Sequence, residues 1–309
     1  MDEHAAAPSP GAGPGGPLAG RVALVTGGGK GLGRAFALHL AASGVSVVVN
    51  NRNREVDADG LGPADHVVAE IEAAGGVAVA EHSDVTDPDA ARSMVDLALS
   101  TYGRLDVLVT SAAVSRPQMA HKTTADNLRL VLETNVVGTT LVAAAAAAEM
   151  RRAGHGRIVL VASTAGLHGE PTVSAYAASK GAVIALGRTL AAEGAAKDVL
   201  TNVLLPYATT QMTETGMDPR HADRMRSELV APVVTALADP ASSINGQVVV
   251  AAGAALRATD SVEHGTVLMP DGPLDATGLA ALLEQSRAGD PHTFDHAQAA
   301  FQSLAADLA

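Results

Sequence analysis

The sequence predicts a Rossmann-like α/β fold: a doubly wound parallel sheet with helices on both faces, followed by a small C-terminal helical extension. Three observations predict it. From residue 21 onward, short β-branched runs alternate with stretches of helical pattern, as repeated βα units require. The first run enters a glycine-rich turn, Thr26-Gly27-Gly28-Gly29-Lys30-Gly31-Leu32-Gly33, that opens a helical stretch. The 309 residues are 47% hydrophobic and 17% charged but only 2% aromatic, so a core of Ala, Val and Leu has ample material and global disorder is excluded.

Each element follows in order. Residues 1–20 are rich in Gly, Pro and Ala and read as a flexible tail outside the fold, without the basic start and apolar stretch of a signal peptide. Val22–Thr26 is a continuous apolar run, the pattern of a strand buried on both faces. A helix from about Gly31 to Ser43 comes next, then a second strand over Val45–Asn50, a polar loop and a helix near Ala64–Ala74. Val77–Glu81, Val107–Thr110, Arg157–Val161, Val199–Leu205 and Gln247–Val250 supply five further strands. The main α/β domain is expected over residues 21–259 and the extension over 260–309.

Composition narrows the function. A net charge of −12, with three Tyr, three Phe and no Trp, argues against a nucleic-acid surface, which needs cations and stacking rings. No cysteine is present, so disulfides, thiolate zinc sites and cysteine nucleophiles are excluded, as fits a cytoplasmic protein. The most apolar run, Leu141 to Ala148, is too short to cross ~30 Å of hydrocarbon, so no membrane association is expected.

The glycine turn between a strand and a helix suits a dinucleotide. Glycines Gly27, Gly31 and Gly33 let a pyrophosphate approach the helix N-terminus, where free N–H groups and the dipole favour an anion. At the end of the second strand, an acid would accept the 2′-hydroxyl of NAD and an arginine would suit the 2′-phosphate of NADP. This chain has Asn50-Asn51-Arg52-Asn53-Arg54, and Lys30, one of four lysines, sits in the glycine turn. NADP(H) is therefore favoured over NAD(H), with solvated surface cations as the alternative. Asp84, after the third strand, either bonds the adenine amino group or caps a helix beginning near Pro88.

Tyr176-Ala177-Ala178-Ser179-Lys180 places a phenol and an ammonium four residues apart on one helix face. A free phenol titrates near ~10, too high for a base at neutral pH, and a nearby Lys⁺ or an oxidised nicotinamide would lower it. Lys180 can also hold ribose hydroxyls. Ser163, thirteen residues before Tyr176, can orient a substrate oxygen, and Asn135, inside an apolar helix, can bond a backbone carbonyl and position water beside Lys180.

These motifs, in order and over roughly residues 19–255, resemble the short-chain dehydrogenase/reductase family. The resemblance implies a Tyr176/Lys180/Ser163/Asn135 catalytic set, and cofactor contacts from Leu32, Asn51, Arg52, Val85, Ser111, Ala112, Lys180 and Thr210 besides the glycine turn and Asp84. A narrower likeness, in Asn53–Ala64, Leu205–Thr213, Ala231–Val234, Val250–Gly253 and the extension, is to the (3R)-hydroxyacyl-CoA dehydrogenase domains of peroxisomal multifunctional enzymes of type 2. It implies interconversion of a secondary alcohol and a ketone, foremost a 3-hydroxyacyl/3-oxoacyl thioester, by a homodimer or homotetramer. A ketoreductase of a secondary metabolite or steroid, and a non-catalytic cofactor-binding scaffold or redox sensor, stay open. The chain departs from the family at Thr110-Ser111-Ala112-Ala113, where Asn-Asn-Ala-Gly is usual and Ala113 has less backbone freedom than Gly. It also departs at Asn51, where the multifunctional enzymes carry Asp, and at Tyr207, which either narrows the pocket or packs beside the nicotinamide.

Other features read mainly as structure. His292 and His296 lack the further ligands a zinc site needs, so no metal is expected. His168 is a substrate-loop residue or a plain loop residue. Arg220–Arg226 is a solvated helix face or an attractant for an anionic substrate, and the Ala-rich stretch Val142–Ala148 is core or subunit interface.

Overall fold

A computed structural model of the chain describes residues 16–52, 56–209 and 223–308. Eight strands form a sheet in the order β3-β2-β1-β4-β5-β6-β7-β8. These are β1 (Val22–Thr26), β2 (Ser46–Asn50), β3 (Val77–Glu81), β4 (Val107–Thr110), β5 (Gly156–Val161), β6 (Val199–Tyr207), β7 (Val248–Ala252) and β8 (Ala255–Thr259). The first seven pair in parallel. All five residues of β1 and the four of β4 are buried, the consequence of helices on both faces and the reason these strands show no polar alternation.

The helices divide between the two faces. α1 (Gly31–Ala42), α2 (Pro63–Ala73) and α8 (Ala231–Leu237) pack on one side, with Phe36, Leu40, Val67, Ile71 and Val234 against Val25 and Val47. α3 (Ala90–Tyr102), α5 (Thr139–Ala153) and α7 (Ser174–Gly194) cover the other, with Met94, Val142, Met150 and Val183 against Leu24, Leu108 and Ile158. Scarcity of aromatics leaves the volume to aliphatic side chains, and small alanines bring helix and sheet close: Val142, Ala143 and Ala146 of the Ala-rich stretch are core.

The β1 neighbours are β2 on one side and β4 on the other, so chain growth reverses there. Thr26 stands level with both Asn50 and Thr110. That switch point opens a crevice beyond the strands' carboxyl ends, where ligands of this architecture bind.

Two elements differ from the sequence reading. β8 follows β7 after Gly253 and Ala254, a two-residue link that only an antiparallel hairpin allows. Its residues Ala-Leu-Arg-Ala-Thr are mostly exposed and carry no period-two pattern, so nothing in them announces a strand. α4 (Ala125–Leu132), a π-helical turn over Glu133–Gly138 and α5 run on as one helix. By length and composition the stretch Ala125–Ala153 could cross a membrane, longer than the apolar run Leu141–Ala148 suggested. Half of its apolar window is buried inside the domain, as in a core helix. The C-terminal unit, residues 259–309, carries α9 (Ala276–Arg287) and α10 (Ala297–Asp307), and none of its described residues is buried.

At the strand ends opposite the crevice, the chain is closed by one cation. Arg157, 2% exposed, donates to the carbonyls of Gly156, Asp198, Asp239, Pro240 and Ser242 at 2.7–3.3 Å and to the Asp198 carboxylate at 3.1 Å. Only a planar guanidinium presents donors in so many directions. Replacing it by Met leaves several buried carbonyls unpaired, each costing about 1–3 kcal/mol. Arg157→Met is expected to lower unfolding free energy by about 3–5 kcal/mol, read as a shift in urea midpoint, and Arg157→Lys to restore only part. Midpoints equal to wild type would refute this role.

Candidate active site

The crevice encloses about 730 Å³, and the glycine turn forms its edge. Gly27 and Gly31 adopt left-handed backbone, φ 65° and 52°. A Cβ on Gly27 would stand 2.7 Å from the Ala112 nitrogen, and one on Gly33 would stand 2.2 Å from the Gly27 oxygen. The turn is therefore packed against the 111–113 segment, with the Thr26 hydroxyl accepting from the Ser111 and Ala112 N–H groups at 3.2 and 3.4 Å. Gly27, Lys30, Gly31 and Leu32 line the crevice at the start of α1, as do Ser111 and Ala112. Gly33 lies behind the turn it permits. Ala113 has no positive φ, so the family's usual glycine is not required by this backbone.

At the end of β2, Asn51 and Arg52 line the crevice beside Asp84 and Val85. The Arg52 guanidinium donates to Asp84 at 2.7 Å, which also accepts from the Thr86 N–H and hydroxyl at 3.1 and 2.9 Å. Burial pushes the Asp84 carboxyl upward, but Arg52 and Thr86 outweigh it and hold it below its usual range. Two expectations are corrected here. Asp84 caps no helix: α3 begins at Ala90 with Asp89 at its N-cap, because Asp84 is spent closing the turn on Thr86. Arg52 is not a freely solvated cation either, since that carboxylate anchors it. Below them Asn50 donates to the buried Glu81 at 2.5 Å and to the Ser83 carbonyl at 3.0 Å.

The Tyr176 and Lys180 side chains lie one helical turn apart at the start of α7, Lys180 Nζ 5.6 Å from the Tyr176 ring centre. Lys180 is 4% exposed and donates to the Val161 carbonyl at 2.8 Å. Ser163 follows β5, accepts from the Ala165 N–H at 3.1 Å and lies near enough to the Tyr176 phenol to pull its pKa down. α6 (Ala165–His168) brings it there. A Cβ on Gly166 would lie 2.4 Å from the Gly181 nitrogen and Lys180 carbonyl carbon, so α6 touches α7 only because residue 166 is Gly. The sequence contained this signal, but its meaning depends on a contact across the fold.

Burial dominates the electrostatics. It raises the Tyr176 phenol, with Ser163 pulling the other way and losing. It lowers the Lys180 ammonium to about 8. The expected lowering of the phenol by Lys180 is therefore not what governs the protein alone. Asn135 is also corrected in part. It sits fully buried in the π turn, a distortion common at functional sites. It bonds a backbone carbonyl as expected, yet both its amide hydrogens are taken by the Val114 oxygen (3.0 Å) and Ser179 Oγ (2.9 Å), while Oδ1 accepts from the Val114 N–H at 2.8 Å. The side-chain N–H groups are thus spent on protein partners, not on a water beside Lys180.

Thr134, Glu170, Val173 and Tyr207 complete the lining. The Thr134 hydroxyl is buried without a protein partner, a costly state that a ligand hydroxyl or water would relieve. With the glycine cradle, it makes these residues fit a dinucleotide. Tyr207 ends β6 with 47% of its surface exposed, on the crevice side. His168 is not part of the lining, and His296 caps α10, accepting from the Ala299 N–H. Thr210 lies outside the described residues, as do residues 220–222 of the basic cluster.

The chain matches the family model described as short chain dehydrogenase over residues 21–222. It is 39% identical over 235 residues to a Mycobacterium tuberculosis protein described as a short-chain type dehydrogenase/reductase, covering 75% of this chain and 82% of that one. It is 37% identical over 254 residues to peroxisomal multifunctional enzyme type 2 of Drosophila melanogaster, covering 81% of this chain and 42% of the enzyme. A short chain dehydrogenase structure from Mycobacterium avium superposes with TM-score 0.78 at 33% identity, over 90% of this chain and 98% of that one.

The buried ammonium gives a stability prediction. Lys180 binds its proton more weakly folded (about 8) than unfolded (10.5). The unfolded chain therefore holds the extra proton between those values, and the fold gains stability as pH rises through that window. Below it, burial of the charge costs about 3 kcal/mol, against about 1 kcal/mol from the bond to Val161. Lys180→Met is expected to unfold at higher urea than wild type near pH 7, with most of the difference gone near pH 9.5. A pH-independent difference, or a loss at pH 7, would contradict it.

Proposed function

The chain belongs to the short-chain dehydrogenase/reductase family, an NAD(P)-dependent oxidoreductase, and from that premise we propose that it interconverts a 3-hydroxyacyl and a 3-oxoacyl thioester with NADP(H) as the preferred cofactor. One observation carries the reaction type. The Tyr176 phenol and the Ser163 hydroxyl line one crevice with the glycine turn, one helical turn from the buried Lys180 ammonium.

In the direction of reduction, Ser163 and Tyr176 hydrogen-bond the ketone oxygen and Tyr176 delivers the proton to it; in oxidation the phenol's oxygen takes the hydroxyl proton back. Lys180 holds cofactor ribose hydroxyls, and its charge, when protonated, favours the phenolate. Asn135 acts one step back, fixing the Val114 wall against α7. When bound, the nicotinamide supplies or accepts the hydride. The helix N-terminus at Gly31 and the cradle at Gly27 would hold the pyrophosphate, and Thr134 would offer its hydroxyl. The thioester reading draws on a Synechocystis relative, 37% identical over 198 residues, whose name states a 3-oxoacyl-[acyl-carrier-protein] reductase.

Preference for NADP(H) is supported by the cations at the adenosine end. Arg52 is held in place by Asp84 with guanidinium hydrogens to spare, Lys30 lines the same crevice, and position 51 carries no carboxylate to repel a 2′-phosphate. One charge-assisted hydrogen bond contributes about 1.5–3 kcal/mol, enough for roughly tenfold in affinity.

Two measurements test the reading. Tyr176→Phe is expected to lose at least about a thousandfold in turnover of a 3-oxoacyl-CoA while still quenching NADPH fluorescence on binding. Near-normal turnover would refute the acid/base role, and wild type binding cofactor without turning over any ketone or thioester would favour a scaffold. In titrations, wild type is expected to bind NADPH about tenfold more tightly than NADH, and Lys30→Ala with Arg52→Ala to erase that difference. A wild-type preference for NADH would overturn the charge argument.

A further inference from the structure

Ser179 stands between Tyr176 and Lys180 in sequence and is fully buried. Its hydroxyl makes two bonds, one to the Tyr176 carbonyl at 2.7 Å and one with Asn135 Nδ2 at 2.9 Å. A carbonyl only accepts, so the hydroxyl proton points at Tyr176, and the Ser179 oxygen must accept from Asn135. That requirement sets which end of the Asn135 amide faces Ser179. The amide's other hydrogen then meets the Val114 carbonyl, and its oxygen meets the Val114 N–H. Donor and acceptor alternate without conflict from a crevice wall, through the π turn, to the turn of α7 that carries the phenol.

We propose that Ser179 is a positioning residue for the reaction: it transmits the Asn135 anchor to the backbone of Tyr176 and so sets where the phenol meets Ser163 and the substrate oxygen. The proposal rests on Tyr176 being the acid/base. An Ala at 179 strands one Asn135 hydrogen where no water reaches, and it frees the first turn of α7 from the 114 wall. The Tyr176 phenol then moves relative to Ser163, which pulls its pKa down. The cofactor cradle at Gly27–Gly33 is untouched.

Kinetics of Ser179→Ala decide it. The expected result is a kcat at least about tenfold lower, an NADPH Kd within twofold of wild type, and a pH profile for alcohol oxidation whose rising limb moves to higher pH. Asn135→Ala combined with Ser179→Ala should be no slower than Asn135→Ala alone, since both cut one chain. Unchanged kcat and profile with only a lower melting temperature would make Ser179 a packing residue and overturn the proposal, as would rate losses that multiply. If the alanine variant does not fold, Ser179→Cys, which keeps the side-chain shape at a slightly larger volume and weakens both bonds, decides in its place: a lowered kcat with a shifted profile supports the proposal, and wild-type values overturn it. Full activity of Tyr176→Phe would instead remove the premise, a separate outcome.

Discussion

An ammonium group taken out of water is the constraint around which this site is arranged. Lys180 keeps 4% of its surface and one protein acceptor, the Val161 carbonyl at 2.8 Å. Burial at that depth disfavours the charge and brings its proton affinity down to about 8. A surface lysine would serve a ribose equally well as a hydrogen-bond donor. Its charge would be screened by water, whereas Lys180 stands out of water with Nζ 5.6 Å from the Tyr176 ring centre. Much of the nearby packing serves to impose that desolvation. Gly166 lets α6 lie on α7, and that closure places Ser163 against Tyr176.

Polar side chains behind the crevice act in pairs and chains, leaving the groups that face it in fixed directions. Asn135 grips both the N–H and the carbonyl of Val114. Glu81 takes the Asn50 amide, and Asp84 takes Arg52. A buried polar group without a partner is expensive, and one with several is rigid. Each pair thus converts a flexible side chain into a fixed wall. Thr134 departs from this pattern, with a buried hydroxyl lacking a protein partner at the edge of the crevice. Of the five such buried atoms among the described residues, it is the one whose residue lines the crevice.

The parts of this architecture legible in the sequence were those whose cause is local. Val22–Thr26 and Val107–Thr110 read as strands because burial on both faces demands continuous apolar runs, and Tyr176 and Lys180 read as partners because four residues make one helical turn. β8 was not legible: Ala255–Thr259 is exposed and owes its strand geometry to the edge of β7. The identity of the Asp84 partner was hidden for a related reason, since Arg52 lies 32 residues away in sequence and meets it only after β2 and β3 pair. Ser179 and Gly166 were in plain view, but a serine or glycine beside a motif has meaning only once its neighbour across the fold is known.

The departures from the family pattern obey the same logic of cost and compensation. A glycine at 113 would be needed if the backbone there were left-handed, and it is not. What the crevice does require at that edge is close approach of the 111–113 segment to Gly27, which depends on glycine at 27, not at 113. The Thr26 hydroxyl then supplies the acceptor that holds the segment in place. With Thr-Ser-Ala-Ala in place of the usual Asn-Asn-Ala-Gly, the segment still packs its backbone against Gly27 and carries different side chains. The Thr110 hydroxyl is buried and unpaired as a result, a modest penalty beside the loss of the crevice edge. At the end of β2 the change is one of charge: Asn51 stands where the multifunctional enzymes carry Asp, and the crevice lining there includes Lys30 and Arg52, the latter held by Asp84. Backbone path at one edge and side-chain charge at the other are thus separate departures, each compensated locally.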